Sequence, residues 1–350
     1  MKPNTEVKLP GIEISLSKEH YVKIKCRKTD NTILHEIGKV LQDKQEINIA
    51  LSGGLDSQFL LQCCLQLDKD ITLFTYRSFW GDLIINSEDL YFAQMIANRH
   101  NLKHHIIDID LKPFFTTFQH YKYGVDFFNT SPQLAVHFYF LKLIKQEYDI
   151  QHILMGGDIP IFKYAKVQDK KKLFLTGESV YQDIMAPYYL FCESIGVECI
   201  KDIFYHSEEL VYLGFKNNLN LLKNKKVYCL GPDINHPDHV PYKDSHYELK
   251  GLLYKNILKD LKTQSFQTNG FETLKKILAS DTGVYNQFDI LYREPLIDLV
   301  PEFIPNKLGS KRNKNRNISY DPIIKSLYRD FLKFTEENEC KIINKYRFDF

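Results

Sequence analysis

Residues Ile49-Ala50-Leu51-Ser52-Gly53-Gly54-Leu55-Asp56-Ser57 pass from one rhythm to another. A short apolar run closes at Leu51, two glycines follow, and a helical pattern opens at Asp56 or Ser57. Such a turn suits a bulky anion. Glycines let the backbone approach it, the first amides of a helix have no partner inside the helix, and the positive end of the helix dipole lies at the same place. The hydroxyls of Ser52 and Ser57 add donors. Asp56 is the unexpected member, because a carboxylate repels phosphate unless a divalent cation lies between them. Mg2+ held by one or two carboxylates and phosphate oxygens is the usual arrangement. The stretch therefore predicts a nucleotide with Mg2+. It lacks the lysine of the Walker loop and the G-x-G-x-x-G pattern of the dinucleotide fingerprint, which sets both aside.

Working outward, Ile47 to Leu51 reads as a buried strand, Ser57 to Leu67 as a helix and Ile71 to Tyr76 as a strand. A helix over Ser87 to His100, a strand over His104 to Ile109, a helix over Pro132 to Glu147 and a strand over Ile153 to Met155 follow. Strands alternating with helices predict an α/β fold, a doubly wound, mostly parallel sheet covered on both faces, with ligands at the carboxyl ends of its strands. Residues 1–45 form an N-terminal unit. There Ile12, Ile14 and Leu16 alternate, a Ser-Lys-Glu-His turn follows, and Val22, Ile24 and Cys26 repeat the pattern as a hairpin, before a helix capped by Asn31. The nucleotide-binding domain is placed over 46–230, with the cluster Asp169 to Lys172 as a loop. A mainly helical C-terminal region is placed over 231–350, and helical periodicity marks 206–223, 246–261, 270–280 and 319–337.

The second glycine pair, Gly156-Gly157-Asp158, ends a strand of the same sheet. It offers bare backbone and a carboxylate at the ligand edge, so Asp56 and Asp158 together could hold Mg2+ against a leaving pyrophosphate.

Composition narrows the classes. With 46 basic and 44 acidic side chains the net charge of +2 provides no general attraction to nucleic acid or anionic lipid. A local basic run, Lys311 to Arg316, reads as a solvated loop. No apolar stretch is long enough to span a membrane, and the first residues lack a signal-peptide core, so the expected location is the cytoplasm. The seven cysteines are odd in number and scattered, which predicts reduced thiols. Cys63-Cys64 are adjacent and Cys192 to Cys199 is too widely spaced for a compact metal site. His236 and His239, near Asp233 and Asp238, make a poor zinc site.

Ser52-Gly53-Gly54-Leu55-Asp56-Ser57 resembles the SGGxDS signature of the PP-loop ATP pyrophosphatases, and within that superfamily the chain is most similar to the synthetase domain of asparagine synthetase. Asn129-Thr130-Ser131-Pro132, Gly156-Gly157-Asp158 with Phe162 and Tyr164, and Arg293-Glu294-Pro295-Leu296-Ile297-Asp298 resemble three further family segments. The resemblance implies that ATP is cleaved between its α and β phosphates. Leu51, Ser52, Gly53, Gly54, Asp56, Ser57, Gly156 and Gly157 would cradle the nucleotide, with adenine near the backbone of Tyr76. Lys163 would pair with phosphate charge and Arg293 would steady the α-phosphate. Where the family has an acid and a small Gly-Gly, this chain has Ile159 and Phe162-Lys163, so one potential contact to metal or amine is lost. Position 2 is Lys, and about 45 residues before the first sheet strand are too few for a glutaminase domain. The amine is then ammonia, another amine, or a product handed over by a separate protein. The expected activity is an AMP-forming ligase that adenylates a small-molecule carboxylate and passes it to an amine. Its alternatives are adenylation of a nucleobase carbonyl, and an ATP-binding module without turnover. Nucleic acid and membrane partners are not expected.

Overall fold

The computed structural model describes residues 6–16, 21–117, 119–123, 132–157, 159–167, 170–176, 178–225, 251, 253–255, 257, 258 and 317–337. Near the N-terminus β1 (Glu6–Leu9), β2 (Ile12–Ser15) and β3 (Tyr21–Ile24) form an antiparallel meander. The predicted hairpin is its second half, with Ile14 opposite Val22 and Ile12 opposite Ile24. Helix α1 (Ile33–Val40) follows. Its cap is Thr32, whose hydroxyl accepts from the amide of His35 at 3.2 Å, and the expected cap Asn31 instead donates to Glu36 at 2.6 Å. Thr32 holds the extended backbone that brings a side-chain oxygen within reach of a first-turn amide.

The main sheet is built from β4 (Glu46–Ala50), β5 (Asp70–Trp80), β6 (Leu83–Ile84), β7 (Lys103–Asp110), β8 (His152–Met155) and β11 (Glu198–Lys201). Helices α2 (Leu55–Gln66), α3 (Ser87–Arg99), α4 (Leu111–Thr116), α5 (Pro132–Tyr148) and α6 (Glu178–Ser194) connect them. Parallel pairing runs β11-β8-β4-β5-β7, and β6 adds a short antiparallel turn-back on β5. The chain lays down β4, β5 and β7 in one direction, then returns to place β8 and β11 on the other side of β4. With right-handed crossovers this reversal puts the two groups of helices on opposite faces.

Strand side chains divide accordingly. Ile47, Ile49, Leu73 and Leu154 pack with Leu60, Leu61, Ala93 and Ile96 of α2 and α3. Phe74, Ile107, Ile109 and Ile153 pack on the other face with Phe138, Leu141 and Phe191. The doubly wound sheet is therefore as expected, although β11 was not read from sequence. A strand this short at the sheet edge leaves a weak periodic trace.

Beyond β8 the chain departs from a helical reading. Strands β9 (Ile161–Val167) and β10 (Lys170–Thr176) pair antiparallel, so Lys170 to Lys172 belong to a strand rather than a loop. Charge density signals contact with water, and a two-stranded ribbon meets that demand as readily as a loop. Helix α7 (Glu208–Lys225) follows β11. Strand β12 (Asn317–Tyr320) pairs parallel with β3, and only from Pro322 does the predicted last helix begin, as α8 (Pro322–Glu337). The helical reading over 270–280, the basic run 311–316 and the His236/His239 pair lie outside the described residues. Cys26, Cys63, Cys64, Cys192 and Cys199 are buried free thiols. No helix among the described residues is long and apolar enough to cross a membrane.

Burial pushes the imidazoles of His120, His137 and His206 down to about 4. In the unfolded chain each takes a proton near its ordinary value of about 6.5. Between these values the unfolded state binds more protons, so stability is present above about pH 6.5 and drains away as pH falls towards 4, by roughly 3 kcal/mol per imidazole at most. Urea midpoints measured from pH 7.5 to 4.5 should fall steeply. A flat profile would mean that these rings are protonated inside the fold.

Candidate active site

The strand order reverses between β4 and β8, and the crevice at their carboxyl ends is the expected ligand position in such a sheet. A cavity of about 340 Å³ lies there. The strands around the reversal contribute Leu51 and Ser52 after β4, Thr75 and Tyr76 from the middle of the longer β5, Met155 and Gly156 at the end of β8, and Lys201 at the end of β11.

Local chemistry explains the loop after β4. Leu51 donates its amide to Phe74 at 2.9 Å, and its carbonyl accepts the Thr75 hydroxyl at 2.6 Å, which ties the last residue of the run to β5. Gly53 then turns with φ +76°. A β-carbon there would be strained, and it would also stand 2.9 Å from Cβ of Phe92 and 3.0 Å from the carbonyl of Asp89, so only glycine lets α3 pack against the loop. The buried amide of Gln58 donates to the Gly53 carbonyl at 2.7 Å. Gly54 occupies the capping position of α2 and has no side chain with which to cap it. The hydroxyls of Ser52 and Ser57 are 3.2 Å apart, and that of Ser57 also donates to the Gly54 carbonyl at 3.0 Å.

The second glycine pair backs onto this loop. A β-carbon on Gly156 would stand 3.0 Å from the backbone nitrogen of Ser57, and one on Gly157 would run into the carboxylate of Asp202. Leu51, Ser52, Gly54, Asp56, Ser57, Tyr76 and Gly156 line the cavity, whereas Gly53 and Gly157 shape it through these close approaches. Lys163 sits in β9, paired with Phe174 of β10. Asp158 and Arg293 lie outside the described residues. Ile159 is fully buried among apolar side chains, so the position that carries an acid in the resembling family is a core position here.

Other residues at the site were not singled out in the sequence. The buried hydroxyl of Tyr254 donates to Oδ1 of Asp56 at 2.6 Å, and its ring stacks on Phe59 with centroids 4.2 Å apart. His137 contacts the Tyr188 hydroxyl through Nδ1 and the Tyr76 hydroxyl at 3.3 Å through Nε2, a chain of neutral groups across the cavity wall. Asn86 accepts from the amide and hydroxyl of Ser78, both at 2.9 Å, and donates to the Tyr76 carbonyl at 2.9 Å. Asp89, which also lines the cavity, keeps Oδ1 buried without a hydrogen-bond partner among the described residues. Burial, helped by Glu88, raises its carboxyl to about 7. The polar run Asn86-Ser87-Glu88-Asp89 opening a helix after a strand was the available signal for Asn86 and Asp89. For Tyr254, far along the chain, there was none.

The donors that face the cavity from the first loop are carboxylate and hydroxyl oxygens. This is the hard oxygen set that Mg2+ accepts when phosphate completes its coordination. Asp56, with Ser52 or Ser57, could hold the ion, so the residues present fit the expected cofactor.

Residues 30–158 match the family model described as asparagine synthase. Among solved structures, the chain is similar to a predicted subunit of a tRNA methyltransferase from Methanocaldococcus jannaschii. The identity is 17%, with 49% of this chain and 74% of that one covered, at a TM-score of 0.28. It is also similar to the U34-tRNA thiolase NcsA from Methanococcus maripaludis with its 4Fe-4S cluster. There the identity is 12%, with 89% of this chain and 82% of that one covered, at a TM-score of 0.32. TM-scores this low carry no argument about this chain. A search of curated proteins finds no match.

Because the folded carboxyl of Asp89 is raised above its unfolded value of about 3.9, its contribution to stability is complete below that value and is lost as pH rises through 7. Asp89→Asn, which cannot ionise, should match the native chain near pH 4 and exceed it by about 1–2 kcal/mol at pH 8, with solvent screening discounted. Denaturant titrations at the two pH values check this. A variant equally destabilised at both would show that the carboxylate makes a favourable contact instead.

Proposed function

We propose that the chain is an AMP-forming, ATP-dependent ligase that adenylates a carboxylate and transfers the acyl group to an amine or to ammonia. The observation that carries this reading is the contact of the two glycine loops at the sheet reversal. The second loop lies against the first turn of α2, so backbone amides, two hydroxyls and the Asp56 carboxylate converge on one crevice.

In this reading the substrate carboxylate attacks the α-phosphorus, the bond from that phosphorus to its bridging oxygen breaks, and the electron pair leaves with pyrophosphate. The amine then attacks the acyl carbon, AMP departs, and one proton is released. The amides after Gly54 and the hydroxyls of Ser52 and Ser57 hold phosphate oxygens in place. Asp56, fixed by Tyr254, would hold Mg2+ together with Asp158, and the ion when bound supplies charge neutralisation for pyrophosphate. Tyr76, Gly156 and Leu51 border the adenosine. Lys163 and Arg293 keep the phosphate-pairing roles that the resemblance implies. Catalysis comes from alignment and preorganised charge, without a covalent enzyme intermediate. The amine is free in solution or delivered by a separate protein, and the proposed setting is the cytoplasm.

The test is turnover of α-labelled ATP with Mg2+ and pools of carboxylic acids, with hydroxylamine as a general amine trap. AMP, pyrophosphate and a hydroxamate are expected. Asp56→Ala should lower AMP formation by about a hundredfold or more, as loss of a charge-stabilising group does. The variant should still fold, with stability lowered by about 1–3 kcal/mol for the lost contact with the buried Tyr254 hydroxyl. ADP as the nucleotide product, or unchanged AMP release in Asp56→Ala, would overturn the reading. AMP formed only when single-stranded RNA is added would transfer it to adenylation of a nucleobase carbonyl.

A further inference from the structure

Lys201 ends β11, paired there with Met155 of β8, and is only 8% exposed. Among the described residues it is the one lysine or arginine that lines the crevice, where Asp56 and Asp89 are its acids. A buried ammonium needs acceptors. Its Nζ donates to the Gly156 carbonyl at 3.0 Å, lies 3.3–3.4 Å from the carboxylate oxygens of Asp202, and sits 5.2 Å above the Tyr188 ring. Its backbone carbonyl accepts the Tyr189 hydroxyl at 2.6 Å.

An ammonium has three donors. Here the Gly156 carbonyl and the Asp202 carboxylate take two. Asp202 is itself held in a left-handed turn, buried, with Gly157 packed against it. The cation is thus fixed to the second glycine loop, and that loop lies against the amide of Ser57. A polyanion bound at the first loop would meet Lys201 across the crevice.

We propose that Lys201 is a phosphate-binding residue of the nucleotide site, its third donor contacting a phosphate oxygen of ATP. This rests on the reading that the crevice holds ATP. The competing account is that Lys201 and Asp202 form a structural ion pair and nothing more. The two accounts differ when both charges are removed together, because deleting one partner of a buried pair is costly whereas replacing both is often neutral. Asn is tolerated in left-handed backbone, so Asp202→Asn keeps the turn.

The experiment titrates the full chain with the α,β-methylene analogue of ATP plus Mg2+, and separately with adenosine, by calorimetry. Lys201→Met and the double variant Lys201→Met/Asp202→Asn should both lose about tenfold to a hundredfold in affinity for the analogue, the range for a charged hydrogen bond. Adenosine binding should stay within about twofold. If Lys201→Met alone fails to fold, the double variant still reads the effect. Native affinity for the analogue in the double variant, or an equal loss for adenosine, overturns the assignment while the ATP site stands. Failure of the native chain to bind the analogue overturns both.

Discussion

The backbone of Gly156 reaches the first turn of α2 because β4 and β8 are neighbours whose connections depart in opposite directions. A β-carbon at that approach would stand 3.0 Å from the Ser57 nitrogen and would press the turn back by a few tenths of an ångström. From it follow the position of the crevice, the meeting of two polar loops at one point, and the inclusion of β11, which pairs with β8 and brings Lys201 to the same edge. An open parallel sheet provides such an edge only where its winding reverses.

Around that contact the fixed groups are mostly polar side chains holding backbone. Thr75 holds Leu51, Gln58 holds Gly53, Asn86 holds Tyr76, and Tyr254 holds Asp56. Each bond removes a freedom that a ligand would otherwise have to restrict on binding, which is how a site becomes preorganised. The Tyr254 contact also joins the later part of the chain to the first loop. Its ring is buried against Phe59, inside the same packing that supports α2.

What was legible follows from the range of the signals. The strand-to-helix change at Leu51 to Ser57 and the alternation of β and α elements are local patterns, and the fold reproduces them. The first loop could be read residue by residue, because a phosphate-type turn needs glycine, hydroxyl and a helix start in a fixed order. Asn31 and Thr32 are both good caps, and only backbone geometry separates them. Lys201 and Tyr254 were invisible for a different reason: each meets the site through a partner remote in sequence, Gly156 and Asp56 respectively, and a single chain read alone contains no record of that pairing. Ile159 shows the converse. It stood out as a departure from a family pattern, and its complete burial explains why an apolar side chain belongs there.

The most direct measurement is a crystal structure of the full chain with the α,β-methylene analogue of ATP and Mg2+. The account predicts phosphate density against the amides of residues 54 to 57, adenine beside Tyr76, and the ion on the Asp56 side of the phosphates. Nucleotide density elsewhere on the molecule, with the crevice between β4 and β8 holding only solvent, would contradict it.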